Sequence, residues 1–132
     1  MELFAACGTD HDDSLVDTHF GDAPKYKIYK ITDISHHLIE EIGNKTKDID
    51  EEEKHGAEKK AKAITQLLKK KGVQILIAKR FGPNIKHVKL HFVPIKVNCC
   101  TADEAVELAR LNFERIMHEW EKGESRSFLN LR

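Results

Sequence analysis

Residues 73–78 read Val-Gln-Ile-Leu-Ile-Ala, with Gly72 immediately before them. A compact β-branched run of this length fits a strand buried on both faces of a sheet, where neither face offers water to a charged side chain. The flanking sequence supplies the covering helices. Upstream, Ala57, Ala61, Ile64 and Leu68 recur at helical spacing with Lys and Glu opposite them, and Gly72 is placed to stop that helix. Downstream, Gly82-Pro83-Asn84 starts a short helical turn, with Pro83 where a helix N-terminus tolerates it. Residues 92–97 form another short strand, which Pro94 places near a sheet edge. Thr101-Ala102-Asp103-Glu104 is a capping box that opens one last helix. Its inward stripe is Ala102, Ala105, Val106, Ala109, Phe113, Ile116, Met117 and Trp120, and Gly123 ends it.

The first part of the chain has strand periodicity. Residues 3–7 are a short apolar run, and residues 8–21 a polar loop rich in Asp and His. Residues 25–31 alternate, with Tyr26 and Ile28 on one face and Tyr29 and Ile31 on the other. Residues 32–35 carry turn chemistry, and residues 36–42 return with Leu38 and Ile42 on one face. Residues 43–53 are an acidic loop. The order β-β-β-α-β-(α)-β-α predicts an α/β fold, a mixed sheet flanked by helices. One domain is expected over residues 1–132, with its core over about 3–122 and a tail at 123–132.

A chain of 132 residues is long enough to bury a core without staples. Formal net charge is zero, which argues against a general nucleic-acid or membrane surface as partner. No stretch is long and apolar enough to span a bilayer. The opening Met1-Glu2-Leu3-Phe4-Ala5-Ala6-Cys7 lacks a basic segment and reads as a strand rather than a signal peptide, so a cytoplasmic location is expected. The three cysteines, Cys7, Cys99 and Cys100, make a poor disulfide framework, and their thiols are either buried hydrophobes or soft ligands.

Open α/β sheets bind ligands outside the carboxyl ends of their parallel strands. Three loops are expected there: Cys7 to His11 and on to His19-Phe20-Gly21, then Lys79-Arg80-Phe81-Gly82-Pro83-Asn84, then Asn98-Cys99-Cys100-Thr101. Cys7, Cys99, Cys100, His11, His19 and Arg80 would thus converge on one end. Thiolate and imidazole suit iron–sulfur and late transition metals, while Arg80 and helix N-termini favour an anion.

His19-Phe20-Gly21, Pro24, the strand Tyr26-Lys27-Ile28-Tyr29, then Gly72-Val73, Ile77-Ala78 and Gly82-Pro83-Asn84 resemble the dinitrogenase iron–molybdenum cofactor biosynthesis family, the NifX-, NafY- and NifB-like proteins. The resemblance runs from residue 3 to about residue 108. It implies a ribonuclease-H-like fold with a mixed five-stranded sheet. It also implies binding of the iron–molybdenum cofactor, or its iron–sulfur precursor, with nitrogenase or cofactor-assembly proteins as partners. His19 matches the family's favoured metal ligand; Phe20 is structural, and Gly21 serves a tight turn. The chain departs from the family at His55-Gly56-Ala57-Glu58, where many relatives carry a cysteine at the position of Glu58. It departs again at Lys79-Arg80-Phe81, where small glycines are usual. Either Cys7, Cys99 or Cys100 compensates, or His19, Arg80 and backbone donors hold the ligand.

Three readings follow. The first is a carrier of a metal cluster, a binding module and not an enzyme. The second is a metal-dependent nuclease, which needs carboxylates on neighbouring strands; residues 3–7 and 73–78 contain none, and Asp10, Asp12 and Asp13 share one loop. The third is an interaction domain of the same fold that has lost its cluster.

Overall fold

The computed structural model describes residues 1–44 and 56–131, the first three of the second segment by backbone only. The departure at residues 55–58 and most of the acidic loop lie outside the described side chains. The elements are β1 (Leu3–Thr9), β2 (Lys25–Ile31), β3 (His36–Gly43), α1 (Gly56–Lys70), β4 (Ile75–Ala78), α2 (Ile85–His91), β5 (Val93–Lys96), α3 (Ala102–Leu111), α4 (Phe113–Trp120) and β6 (Leu129–Asn130). A 3-10 turn at Phe20–Asp22 precedes β2. They build a six-stranded sheet in the order β3-β2-β1-β4-β5-β6. The β1–β2 and β2–β3 pairs are antiparallel, and β1–β4, β4–β5 and β5–β6 are parallel.

Alternation sorts the strand residues into two buried layers. Leu3, Ala5, Cys7, Tyr29, Ile31, Ile75, Ile77, Val93 and Ile95 pack under α3 and α4. Ala6, Tyr26, Ile28, Leu76 and Ala78 pack on the other face with Ile64 and Leu68 of α1, and with Phe92. All four residues of β4 are buried, so the apolar run at 75–78 serves both layers. Val73 and Gln74 precede the strand. The Val73 N–H closes the turn after α1 on the Leu68 carbonyl, and the Gln74 N–H donates to Phe4.

Three expectations change, and the place of Pro94 near an edge is refined. The last helix is two: Asn112 donates through Nδ2 to the Leu108 carbonyl at 2.9 Å and through its backbone to Ala109 at 3.0 Å, closing α3. The α4 ladder then restarts from the Asn112 carbonyl, because a side-chain amide offers the backbone an alternative to continuing. The tail is ordered and supplies a sixth strand, and Leu129 and Leu131 join the core beyond residue 122. Pro94 lies in β5 between two neighbours. The N–H groups of Val93 and Val97 point to β4, so the Pro94 nitrogen faces the β6 side, where pairing begins only at Ile95. Finally, β3 carries a bulge at Ile39: Leu38 pairs with Tyr29 and Glu40 with Ile28. Leu38 therefore lies on the α3 side and Ile42, paired with Tyr26, on the α1 side.

Candidate functional site

The turn at Phe20–Asp22 sits at the carboxyl end of the parallel strands, and four interactions pin it. The Phe20 N–H donates to the Arg80 carbonyl at 3.0 Å, joining it to the loop after β4. The Tyr26 hydroxyl donates to the Phe20 carbonyl at 3.0 Å. The Asn44 amide donates to the carbonyls of Gly21 at 2.9 Å and Ala23 at 2.8 Å. The buried Lys60 of α1 forms an ion pair with Asp22. The Phe20 ring stacks on Tyr26, with centroids 4.7 Å apart, and on Phe81 at 5.8 Å.

Between this turn, α1, α2 and the loop after β4 lies a cavity of about 310 Å³. Its walls are mostly apolar, with Phe20, Ile64, Leu76, Phe81, Val88 and Phe92 among them. His19 lies on its lining and is itself solvent-exposed. Gly21, Gly82, Pro83 and Asn84 also line it, so the His-Phe-Gly and Gly-Pro-Asn motifs meet at one site. Gly21 does not have a positive φ. Its lack of a side chain matters for packing instead: a Cβ there would come 3.2 Å from Cδ1 of Ile64.

The other predicted residues are not on this lining. Cys7 is wholly buried in the layer under α3, across the sheet. Burial above all, then Asp13, pushes its thiol far above the ordinary range, so it stays a protonated hydrophobe. Cys99 packs against the same layer, and burial followed by Glu104 raises its pKa. Cys100 is exposed and accepts the Leu15 N–H through its carbonyl at 2.9 Å. His11 is exposed, and its carbonyl accepts from Lys25. Arg80 is exposed and reaches the site through its backbone. The loops do gather at one end, but the sheet divides Cys7 and Cys99 from His19. Among the described residues no three His, Cys, Asp or Glu side chains form a group that could hold a metal ion. Asp12 caps the Ser14 N–H at 2.7 Å, which holds its carboxyl below the usual range, and Asp13 pairs with Lys27.

Sequence reading passed over two features. Asn44 is one, since a lone Asn after a strand carries no local sign of the turn it secures. The other is legible: from Lys59 to Ala102 the sequence holds ten Lys, one Arg and no Asp or Glu. That stretch takes in α1 from Lys59 onward, α2 and the loop between β4 and α2, which line the cavity together with the turn that carries Asp22.

Compared with known families, residues 1–112 match the one described as dinitrogenase iron-molybdenum cofactor. The chain belongs to that family. The family is concerned with iron–molybdenum cofactor biosynthesis or binding, and its match covers every element lining the cavity. It ends at Asn112, where α3 gives way to α4, so α4 and β6 lie beyond it. No curated protein matches the chain. No helix among the described residues is long and apolar enough to cross a membrane.

Proposed function

We propose that this chain carries the iron–molybdenum cofactor, or an iron–sulfur precursor of it, as cargo at the mouth of the cavity beside His19. The carrying observation is the meeting of an exposed imidazole with a mostly apolar cavity whose one lining carboxylate, Asp22, is paired with Lys60, beside helices and a loop that carry Lys and Arg and no acid from residue 59 onward. Imidazole is a competent ligand for iron, and surrounding cations favour an anionic cluster. Apolar walls shield one side of the cargo from water. A single imidazole, with the thiols placed elsewhere, favours release over permanent storage. The residues thus fit a cluster that is held briefly and passed to nitrogenase or an assembly protein.

On this reading the chain is a cytoplasmic binding module and not an enzyme. The acids of the 10–13 loop support that: Asp12 and Asp13 already serve the loop's own structure. The fold would be a ribonuclease-H-like motif with a sixth strand added. The antiparallel β3-β2-β1 set followed by parallel β4 and β5 supports this assignment.

The test is anaerobic titration with iron, sulfide and the isolated cofactor, followed by visible absorption and EPR. Stoichiometric uptake is expected, and His19→Ala should abolish or strongly weaken it without altering the circular dichroism spectrum. Uptake that is unchanged in His19→Ala would remove this site. No uptake by the folded protein would favour the interaction-domain reading.

A further inference from the structure

Strand β3 is an outer strand of eight residues that pairs only with β2, through seven of them. Its outer row of backbone N–H and C=O groups has no strand partner among the described residues. The opposite edge is β6, only two residues long. Long exposed edges are usually protected by charged side chains, Pro or a bulge; β3 has no Lys or Pro, and its charges, Glu40 and Glu41, follow the bulge at Ile39. Large apolar side chains gather here. Leu38 is 49% exposed, Ile39 51%, and Ile34 in the preceding turn 81%. Leu111 is 67% exposed at the end of α3, which an Arg110 Nη1 hydrogen bond to the Asp33 carbonyl ties to the same turn at 3.1 Å. Four of the seven exposed large apolar residues among the described residues therefore lie at this corner.

The order of residues along the strand fits a second copy of the same strand, whose contacts would compete with those His36 makes with Glu107, Glu41 with Lys25 and Lys27, and Glu40 with Lys71. Residues 36–41 read His-His-Leu-Ile-Glu-Glu, which run antiparallel to themselves set His36 opposite Glu41 and His37 opposite Glu40. Residues opposite one another across an antiparallel pair must share a face, and in a regular strand positions five apart do not. The bulge at Ile39 corrects this. His36 and Glu41 pair with Ile31 and Lys27, on one face, while His37 and Glu40 pair with Lys30 and Ile28, on the other. Leu38 and Ile39 then meet their counterparts at the centre.

We propose that a second copy of this chain pairs antiparallel along β3 in that register, joining two six-stranded sheets into one. No residue lining the cavity belongs to β3, so both cavities stay open. The inference is independent of what the cavity binds.

Sedimentation velocity from low micromolar to near-millimolar protein is the test, with amide hydrogen exchange read on β3. The wild type is expected to approach the mass of two chains, with β3 amides more protected as concentration rises. Ile39→Lys should weaken association at least about tenfold, because it sets like charges together at the centre. His36→Glu with His37→Glu, and separately Glu40→Lys with Glu41→Lys, should each be monomeric alone and should pair when mixed. A wild type of single-chain mass throughout, with β3 amides whose exchange is independent of concentration, overturns the proposal. So does a dimer that is indifferent to Ile39→Lys in a variant with native circular dichroism. If the charge-swapped variants fail to pair when mixed while retaining native spectra, the register is wrong.

Discussion

A methyl group added at Gly82 would stand 3.3 Å from Nδ1 of His19, closer than side chains normally approach. The imidazole lies against bare backbone, and Gly82 makes that position available. His19 belongs to the loop before β2 and Gly82 to the loop after β4, so neither position is legible from its neighbours in sequence. The Phe20–Arg80 hydrogen bond holds the two loops in register.

Gly82→Ala should therefore fold normally and displace the His19 ring. A changed His19 ring resonance in NMR, with weaker cluster uptake than wild type, is the expected pair of results. An unmoved ring would show that the contact is slack.

The Phe20 carbonyl is held by Tyr26, and the next part of the turn by Asn44. Tyr26→Phe leaves that carbonyl with only the Ala23 N–H at 3.3 Å and takes from Asn44 the hydroxyl its amide donates to, at a cost of about 1–3 kcal/mol. Asn44→Ala removes donors from two carbonyls and should cost a similar amount. Both variants should also weaken cluster uptake, measured by absorption, because they loosen the turn that presents His19.

Leu76 is 1% exposed and reaches from β4 to the floor of the cavity. Leu76→Ala should destabilise the fold by roughly 2–5 kcal/mol in urea melts, as truncated core residues do. A shift near zero would mean that the cavity walls collapse onto the vacated space. Leu131→Ala should also destabilise, since the tail packs into the core beneath α4. A disordered tail would make that change silent.

Stability should fall in alkali. Burial raises the Cys7 thiol above its ordinary value of 9.0, and burial followed by Asp22 raises the Tyr26 hydroxyl above its ordinary 10.0. In that range the unfolded chain has released protons that the folded chain retains, so stability decreases as pH rises. The contribution is intact below pH about 8.5 and declines above it, first from Cys7 and then from Tyr26. Urea midpoints measured between pH 7 and 10.5 should show the decline, and Cys7→Ala should flatten its first part.

By itself the sequence determined the strands and helices whose periodicity is strong. The 73–78 run, the alternation at 25–31 and the capping box at Thr101 each specify local structure through side-chain placement that needs no distant partner. The family motifs also pointed to His19, Phe20 and Gly21. Tertiary structure decided what depends on which face of the sheet a residue occupies. It sent Cys7 and Cys99 to one layer and His19 to the other, because alternation of side chains along β1 and β5 gives each residue a side that sequence spacing between loops does not reveal. It placed the bulge at Ile39, which separates Leu38 from Ile42 by reversing the parity of the strand. It also turned the tail into a sixth strand: Leu129 and Leu131 show no periodicity long enough to predict pairing, and only the uncovered edge of β5 gives them a place to bury.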